Sequence, residues 1–72
     1  MKYVIWSFEH MRWWGPNFRG YVERIEDAGR YSLEEAAGPC LRDVEHNEIP
    51  IMEPNALRNG PPTYHPYKGL MK

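Results

Sequence analysis

Cysteine is almost absent from this 72-residue chain, in which Cys40 is the single thiol. One thiol cannot close an internal disulfide, and this usage is typical of proteins of a reducing cytoplasm, where we expect the chain to act. We also expect no membrane or signal segment, because residues 3–7 fall far short of the ~20 apolar residues that span a bilayer. The composition therefore predicts one small monomeric domain, whose ten aromatic rings enlarge a small core.

Motifs for metal binding and catalysis are missing as well. The three histidines, His10, His46 and His65, do not combine with Cys40 at a spacing that defines a tetrahedral metal site. No glycine-rich phosphate-binding motif occurs. Cys40 lies on the apolar side of a predicted helix, where burial raises the pKa of a thiol and makes it a poor nucleophile. We therefore expect no metal, no cofactor and no enzymatic activity.

An excess of charge of one sign is also lacking, since the net charge is −1, but the charges are distributed unevenly. Residues 1–20 carry a net charge of +2, residues 21–53 carry −6, and residues 54–72 carry +3. The acidic middle would repel a phosphate backbone and argues against general nucleic-acid binding. The basic C-terminal segment would contact RNA or DNA only if another surface placed it there.

The residues that are present predict an α+β fold with a two-stranded antiparallel sheet. Residues 2–8 alternate as a strand, and residues 48–52 are its simplest partner, with Pro50 confining the second strand to a sheet edge. Apolar side chains occupy both faces of the first strand. That strand is therefore either buried on both sides or leaves one face for a partner.

Two helices are predicted between these strands. The first spans residues 21–28, where apolar residues recur at helical spacing. The second begins at a capping box in which Ser32 and Glu35 exchange hydrogen bonds, and its apolar positions continue to Val44. Pro39 either ends or kinks this second helix, and the unbroken apolar stripe favours the kink.

An aromatic segment at residues 13–21 has no regular period, because glycine, proline and asparagine interrupt it, and it is predicted to be a loop. Such a loop either plugs the core of its own domain or presents an adhesive surface to a partner. The core interpretation is favoured for most of the rings, but at least one ring should remain at the surface. Arg12 and Arg19 flank the segment, and aromatic residues and arginine dominate binding hot spots.

The C-terminal residues 55–72 are predicted to be a mobile tail beyond a compact domain of residues 1–54. Four of the seven prolines lie from Pro54 onward, with little periodicity around them. The tail is either unstructured or an extended segment, which would stack on nucleobases through residues 64–68 or occupy a groove on a partner.

Several short segments occur in a fixed order in the first part of the chain. They are Ile5-Trp6-Ser7, Glu9-His10, Trp13-Trp14, Pro16-Asn17, Gly20-Tyr21, Ala28-Gly29-Arg30-Tyr31-Ser32 and Glu35-Ala36. Together they resemble a set of small phage-encoded and prophage-encoded proteins, over about the first 45 residues. The chain departs from that set at Gly38-Pro39-Cys40, where the others have an ordinary helix.

Within this set, the size and the N-terminal sequence resemble small transcription regulators of lytic phages. The resemblance implies a cytoplasmic protein that binds the N-terminal region of the β′ subunit of host RNA polymerase. Such a protein would inhibit the use of host promoters and promote transcription antitermination by protein contact, with its tail near nascent RNA or neighbouring subunits. The alternative is a phage accessory protein that binds nucleic acid or another phage protein and has no polymerase role.

The expected docking surface centres on the N-terminal strand and the residues just after it. A two-stranded sheet would leave one edge and one face of this strand open for docking or strand addition. The positive charge of the region suits an acidic partner. The predicted partner-binding residues are Lys2, Tyr3, Val4, Ile5, Trp6, Ser7, Arg12 and Arg19.

Overall fold

A computed structural model of the protein describes residues 1–44, 47–65 and 69–70, and it shows a four-stranded antiparallel sheet with one helix on each face. The elements are β1 (Tyr3–Ser7), β2 (Arg12–Trp14), β3 (Tyr21–Val22), α1 (Leu33–Arg42), β4 (Glu48–Met52), α2 (Glu53–Asn59), β5 (Tyr64–His65) and β6 (Gly69–Leu70). The strand order is β3-β2-β1-β4, and β5 pairs separately with β6. None of the helices described is long and apolar enough to cross a membrane.

The predicted pairing of the N-terminal strand with residues 48–52 is confirmed. β1 and β4 are antiparallel, with Val4 opposite Ile51. Pro50 lies in β4, which is an edge strand, as the missing N–H of proline requires. The prediction of a two-stranded sheet is wrong, because β2 and β3 form a hairpin that adds to the other edge of β1.

This hairpin also corrects the predictions for the aromatic segment and for the first helix. Trp13 and Trp14 lie in a strand and pair with Val22 and Tyr21. In place of a helix over residues 21–28, the chain forms β3 and a short 3-10 turn. A helix shorter than ~12–15 residues depends on tertiary packing. Here the hairpin pairs the backbone of β3 instead and places Val22 against the core.

Helix α1 begins at the predicted capping box. The Ser32 hydroxyl accepts a hydrogen bond from Glu35 N at 3.1 Å, and the Glu35 carboxylate accepts one from Ser32 N at 2.8 Å. The helix continues through Pro39 and ends at Arg42. The predicted apolar face is therefore shorter than expected, since Val44 lies beyond the helix and is 84% exposed.

The segment predicted to be a tail contains helix α2 and strand β5. Pro54 stands in the first turn of α2, where its missing N–H is tolerated, and Gly60 follows the helix with a positive φ of 72°. Ala56 and His65 are buried, so residues 55–65 pack on the domain and the expected absence of structure does not hold for them. The predicted boundary after residue 54 falls inside α2. Residues 66–68 and 71–72 of the predicted tail lie outside the described residues.

Strand β1 is buried on both faces, which is one of the two alternatives that the sequence left open. On one face, the core that includes α2 consists of Val4, Trp6, Phe8, Trp13, Ala28 and Ala56. On the other face, the smaller cluster that includes α1 consists of Ile5, Tyr31 and Ala36. Because both clusters draw on β1, this strand is the centre of the molecule.

Candidate functional site

Four of the five predicted docking residues of β1 are not accessible, and the fifth, Tyr3, is partly buried. Val4, Ile5, Trp6 and Ser7 are all buried. Both edges of the strand are also occupied, since β4 pairs with one edge and β2, together with a backbone bridge at Tyr3, occupies the other. The expectation of a free face and a free edge is therefore wrong, because it assumed a sheet of only two strands.

The basic residues of the predicted docking surface are exposed. The Arg12 guanidinium lies 3.6 Å from the Glu23 carboxylate, so its charge is partly compensated. Lys2 lies next to the start of α2, where its carbonyl accepts a hydrogen bond from Glu53 N at 2.9 Å. Arg19 forms no ion pair within the described part of the chain. A role for these exposed residues in partner binding stays a prediction.

The β2–β3 turn, residues 15–20, holds an aromatic side chain on a strained backbone. Asn17 and Phe18 both have a φ of 59°, and Phe18 is 49% exposed. This left-handed conformation is common for asparagine, but it is an outlier for a bulky aromatic residue. Strain of this kind persists only where surrounding contacts impose it, and it concentrates at functional sites.

Buried Tyr31 imposes the conformation of this turn. Its hydroxyl donates a hydrogen bond to the Gly15 carbonyl and accepts one from Phe18 N at 3.1 Å, and the Phe18 and Tyr31 rings pack with centroids 4.7 Å apart. Gly29 permits this arrangement, because a Cβ at that position would lie 2.5 Å from the Tyr31 hydroxyl. Gly29 N also donates to the Trp14 carbonyl at 2.9 Å. The β2–β3 turn and residues 29–31 therefore form one structural unit.

Trp14 lies half-buried beside the turn, and Glu48 fixes its orientation. The Trp14 indole Nε1 donates to one Glu48 oxygen at 2.8 Å, and the Ser7 hydroxyl donates to the other at 3.3 Å. The Trp14 ring is nearly perpendicular to the rings of Phe18 and Tyr21, at 85° and 88°. Because its N–H is already bonded, Trp14 has only the apolar part of its ring to offer a ligand.

The electrostatics beside Trp14 reflect partial burial. Burial raises the pKa of Glu48 above its usual value, and the negative charges of Asp43 and Glu9 add to this effect, while the hydrogen bonds that the carboxylate accepts oppose it. Burial, with the charges of Glu48 and Asp43, also raises the pKa of Cys40 to about 12. Cys40 therefore remains a protonated thiol at neutral pH and packs as a small apolar side chain.

An open groove lies between the β2–β3 turn and α1. Trp14 and Phe18 line one side, and the groove encloses about 480 Å³, a volume within the range of ligand-binding clefts. The side formed by α1 consists of Glu35, Gly38, Pro39 and Arg42. Their i, i+3, i+4, i+7 spacing places all four on one face of the helix.

Two residues on the α1 side of the groove are poor helix formers. Pro39 has no N–H and therefore deprives the Glu35 carbonyl of its usual helical donor, which costs about 3 kcal/mol in a helix interior. Gly38 costs about 0.5–1 kcal/mol relative to alanine. A Cβ at position 38 would meet no atom within 4 Å outside its chain neighbours and its own helix, so tertiary packing does not require a glycine there. Pro39 itself disfavours a Cβ on the helical residue that precedes it.

This groove was not predicted from the sequence. One signal in the sequence could have indicated it, namely four residues at helical spacing on a different face of α1 from its apolar stripe. These residues are Glu35, Gly38, Pro39 and Arg42. The contribution of Phe18 could not be found this way, because its backbone conformation depends on Tyr31. No group of three metal-ligating side chains converges within residues 1–44, 47–65 and 69–70.

Comparisons of the chain with protein-family models, with curated proteins and with solved structures found no match. We therefore infer function from the groove and from the order of the short segments, whose resemblance to phage proteins stays a prediction.

Proposed function

We propose that the chain is a small protein-binding module without enzymatic activity, and that the groove between Phe18 and α1 is its docking surface. The observation that carries this proposal is the conformation of Phe18, a strained backbone under a ring side chain that is 49% exposed. A half-exposed ring adds little to the core. A partner would instead gain a rigid aromatic anchor, and such anchors dominate binding because little conformational entropy is lost.

A protein fits this groove better than a nucleic acid does. Helix α1 contributes one acidic and one basic side chain to it, Glu35 and Arg42. The groove therefore lacks the excess of positive charge that binding to a phosphate backbone requires. The carboxylate of Glu48, bonded to the Trp14 indole, adds further negative charge nearby.

As a particular function, we propose a phage-encoded regulator that acts as a monomer in the cytoplasm of the bacterial host. It would bind the N-terminal region of the RNA polymerase β′ subunit, inhibit host promoter use and promote antitermination by protein contact, without a cofactor. The support is the resemblance of segments within residues 5–36 to small phage proteins. A contact between two of these segments adds to it, because Gly29 N donates a hydrogen bond to the Trp14 carbonyl at 2.9 Å.

Titration of the isolated β′ N-terminal segment into the protein, followed by calorimetry, tests this proposal. The Phe18→Ala variant should bind at least about tenfold more weakly, because truncating a hot-spot side chain typically costs about 2 kcal/mol or more. Leu57→Ala is the matched control, since Leu57 is also half-exposed, at 56%, but lies on α2 at the opposite face of the sheet. Its affinity should equal that of the wild type.

The possible outcomes separate the parts of the proposal. If the wild-type protein does not bind the β′ segment, the polymerase function is contradicted, and retention of RNA or of another phage protein would favour the accessory role. If the wild type binds and Phe18→Ala binds equally well, polymerase remains the partner but the groove is not the docking surface.

A further inference from the structure

We propose that a second copy of this chain covers the groove in the free protein, with the two α1 helices packed antiparallel across a two-fold axis between Gly38 and Pro39. This inference rests on the proposed docking role of the groove and adds its regulation. The monomer that binds the partner is then in equilibrium with a dimer whose groove is masked. The order of charges on the groove face of α1 identifies the second copy as the occupant.

The groove face of α1 is complementary to itself when its direction is reversed. Glu35 and Arg42 lie at equal separations on either side of the Gly38–Pro39 pair, about 10.5 Å apart along the helix axis. A two-fold axis between Gly38 and Pro39 therefore places Glu35 of each copy level with Arg42 of the other, so the ion pair forms twice. One charge of each sign favours neither an acidic nor a basic partner, whereas a reversed copy of the same face compensates both charges.

Both charges are available for this pairing. The hydrogen bond from Ser32 N at 2.8 Å lowers the pKa of Glu35, so this carboxylate is ionised at neutral pH, and it can accept further donors. Arg42 forms no ion pair with any residue in the described ranges. Both side chains are exposed. A guanidinium and a carboxylate that meet in this way form a strong and directional pair.

The other acidic residues of α1 do not oppose this arrangement. The same two-fold axis sets Asp43 of one copy level with Glu34 of the other, which would bring two like charges together. Asp43, however, is turned towards its own loop, where its carboxylate accepts hydrogen bonds from Asn47 N and, at 2.8 Å, from Glu48 N. Glu34 lies about 100° around the helix from the neighbouring position 35 and therefore outside the groove face.

Gly38 lies at the centre of this face and permits a second helix to approach closely. Outside its chain neighbours and its own helix, a Cβ there would meet no atom within 4 Å, so the space above Gly38 is open. Packed helices lie about 8–10 Å apart, and small residues at the contact allow the shorter distances. A second copy along this face would also cover the rings of Trp14 and Phe18, which border it. Removing this apolar surface from water favours association, while the exposed ion pairs mainly set the register.

The dimer is expected to be weak. Its contact is centred on a helix of ten residues, which is small beside the roughly 1,600 Å² that a stable interface buries. We therefore expect fast exchange between monomer and dimer and weaker association at high salt, which screens exposed charges. A weak dimer leaves the groove accessible to a partner that binds more tightly.

Complementary charge reversals in the full-length protein, followed by sedimentation equilibrium, test the inference. Arg42→Glu leaves two acidic side chains on the groove face of α1, and Glu35→Arg leaves two basic ones, so each variant alone should self-associate at least fivefold more weakly than the wild type. An equimolar mixture of the two variants should associate as the wild type does, because both pairs across the axis are then opposite in charge. Arg58→Glu is the matched control, since Arg58 is also an exposed arginine in the last turn of a helix, α2, and its self-association should be unchanged.

Amide shifts of the 15N-labelled wild type locate the contact. We expect concentration-dependent shifts centred on Gly38, Arg42 and Phe18. A wild type that remains monomeric at about 1 mM, shifts centred on another surface, or two folded variants that fail to associate when mixed would each overturn the inference. If Glu35→Arg does not fold because the capping box is lost, Arg42→Glu decides alone, and wild-type self-association of the folded Arg42→Glu variant would show that the inference is wrong.

The self-association and polymerase experiments fail independently. If both proposals hold, the β′ segment should compete with the second copy, and its addition should reverse the concentration-dependent shifts and give a complex with one copy of each chain. Self-association through α1 without binding of the β′ segment would support this inference and contradict the polymerase proposal. Binding of the β′ segment through Phe18 by a wild type that never dimerises would support the proposed function and overturn this inference.

Discussion

Strand β1 and the β2–β3 turn both carry large apolar side chains, but they place them in opposite environments. Val4 and Ile5 in β1 are fully buried, whereas Phe18 in the turn is 49% exposed. β1 is paired along both edges and covered by a helix on each face. The turn has no such neighbours, and the Tyr31 hydroxyl fixes its backbone while the Phe18 ring stays at the surface.

Apolar character alone therefore does not identify a docking surface. A strand with two apolar faces is adhesive only if the fold leaves one face uncovered, and here α1 and α2 cover both. In the turn, strain and hydrogen bonding act together to keep a ring accessible. We therefore assign a stabilising role to β1 and propose a recognition role for the turn, and the substitutions below test this division.

The largest effect is expected for Val4→Asp, which should unfold the protein at 25 °C. The variant would bury a carboxylate without a partner, at a cost on the order of 3–5 kcal/mol, which approaches the whole stability of a small domain, about 5 kcal/mol. Phe18→Asp is the control at an exposed position and should remain folded. Far-UV circular dichroism and amide dispersion check both variants. A folded Val4→Asp variant that loses partner binding would return the docking surface to β1.

A smaller loss is expected for Tyr31→Phe, which removes the hydroxyl between Gly15 and Phe18. We expect a decrease of about 1–3 kcal/mol in the free energy of unfolding, because two backbone groups lose their partner in a buried place. Denaturant unfolding measures this decrease, and the Phe18 amide resonance should shift. Tyr64→Phe, at a residue that is 61% exposed, should have no comparable effect. Unchanged stability and an unshifted Phe18 amide in Tyr31→Phe would show that Tyr31 does not fix the turn.

The capping box of α1 supports the opposite wall of the groove, and Ser32→Ala should cost ~1 kcal/mol of unfolding free energy. The stability falls because Glu35 N could no longer donate its 3.1 Å hydrogen bond to the Ser32 hydroxyl. Ser32→Asp keeps a capping oxygen and should retain most of the stability. Thermal or denaturant unfolding of the two variants measures the difference, and equal losses in both would argue against a capping role.

The smallest effect is expected in the pH dependence of stability for Glu48→Gln. Because burial raises the pKa of Glu48, the folded protein binds this proton more readily than the unfolded chain does, and the contribution of Glu48 to stability falls as pH rises through the raised pKa. The glutamine side chain of this variant does not titrate. Its carbonyl oxygen can still accept a hydrogen bond from the Trp14 indole, and its NH2 group can donate one to the Ser7 hydroxyl. Its stability relative to the wild type should therefore increase from about pH 4 to about pH 7. A relative decrease over that range in denaturant unfolding would contradict the burial argument.

Patterns in this sequence predicted the fold correctly where no competing pattern was present, and they failed where one was. The capping box of Ser32 and Glu35 and the pairing of β1 with β4 are confirmed, because each depends on neighbouring residues or on simple alternation. The hairpin was missed, since pairing between Trp13 and Val22 competes with a local helix pattern. The prediction of a tail failed at α2, because prolines obscure a short helix whose burial depends on the core.

The candidate site could not be predicted, because it depends on contacts between residues that are distant in the sequence. The groove requires α1 to lie beside the β2–β3 turn, and the exposed ring of Phe18 requires a hydrogen bond from a residue thirteen positions away. Trp13 and Trp14 are adjacent and identical in the sequence, yet one is buried in the core and the other lines the groove. Only the register of the hairpin separates these two roles.

Gly38→Ala tests most directly whether the groove is the docking surface, with unfolding and partner binding measured on the same sample. Outside its chain neighbours and its own helix, the added methyl group would meet no atom within 4 Å. Helix propensity favours alanine over glycine by about 0.5–1 kcal/mol, and the contact of a Cβ at position 38 with the Pro39 ring opposes this gain. If α1 and the β2–β3 turn form a docking groove, the variant should remain folded while its affinity for the β′ segment falls at least fivefold. A folded variant that binds with unchanged affinity would contradict the assignment of the groove as the docking surface.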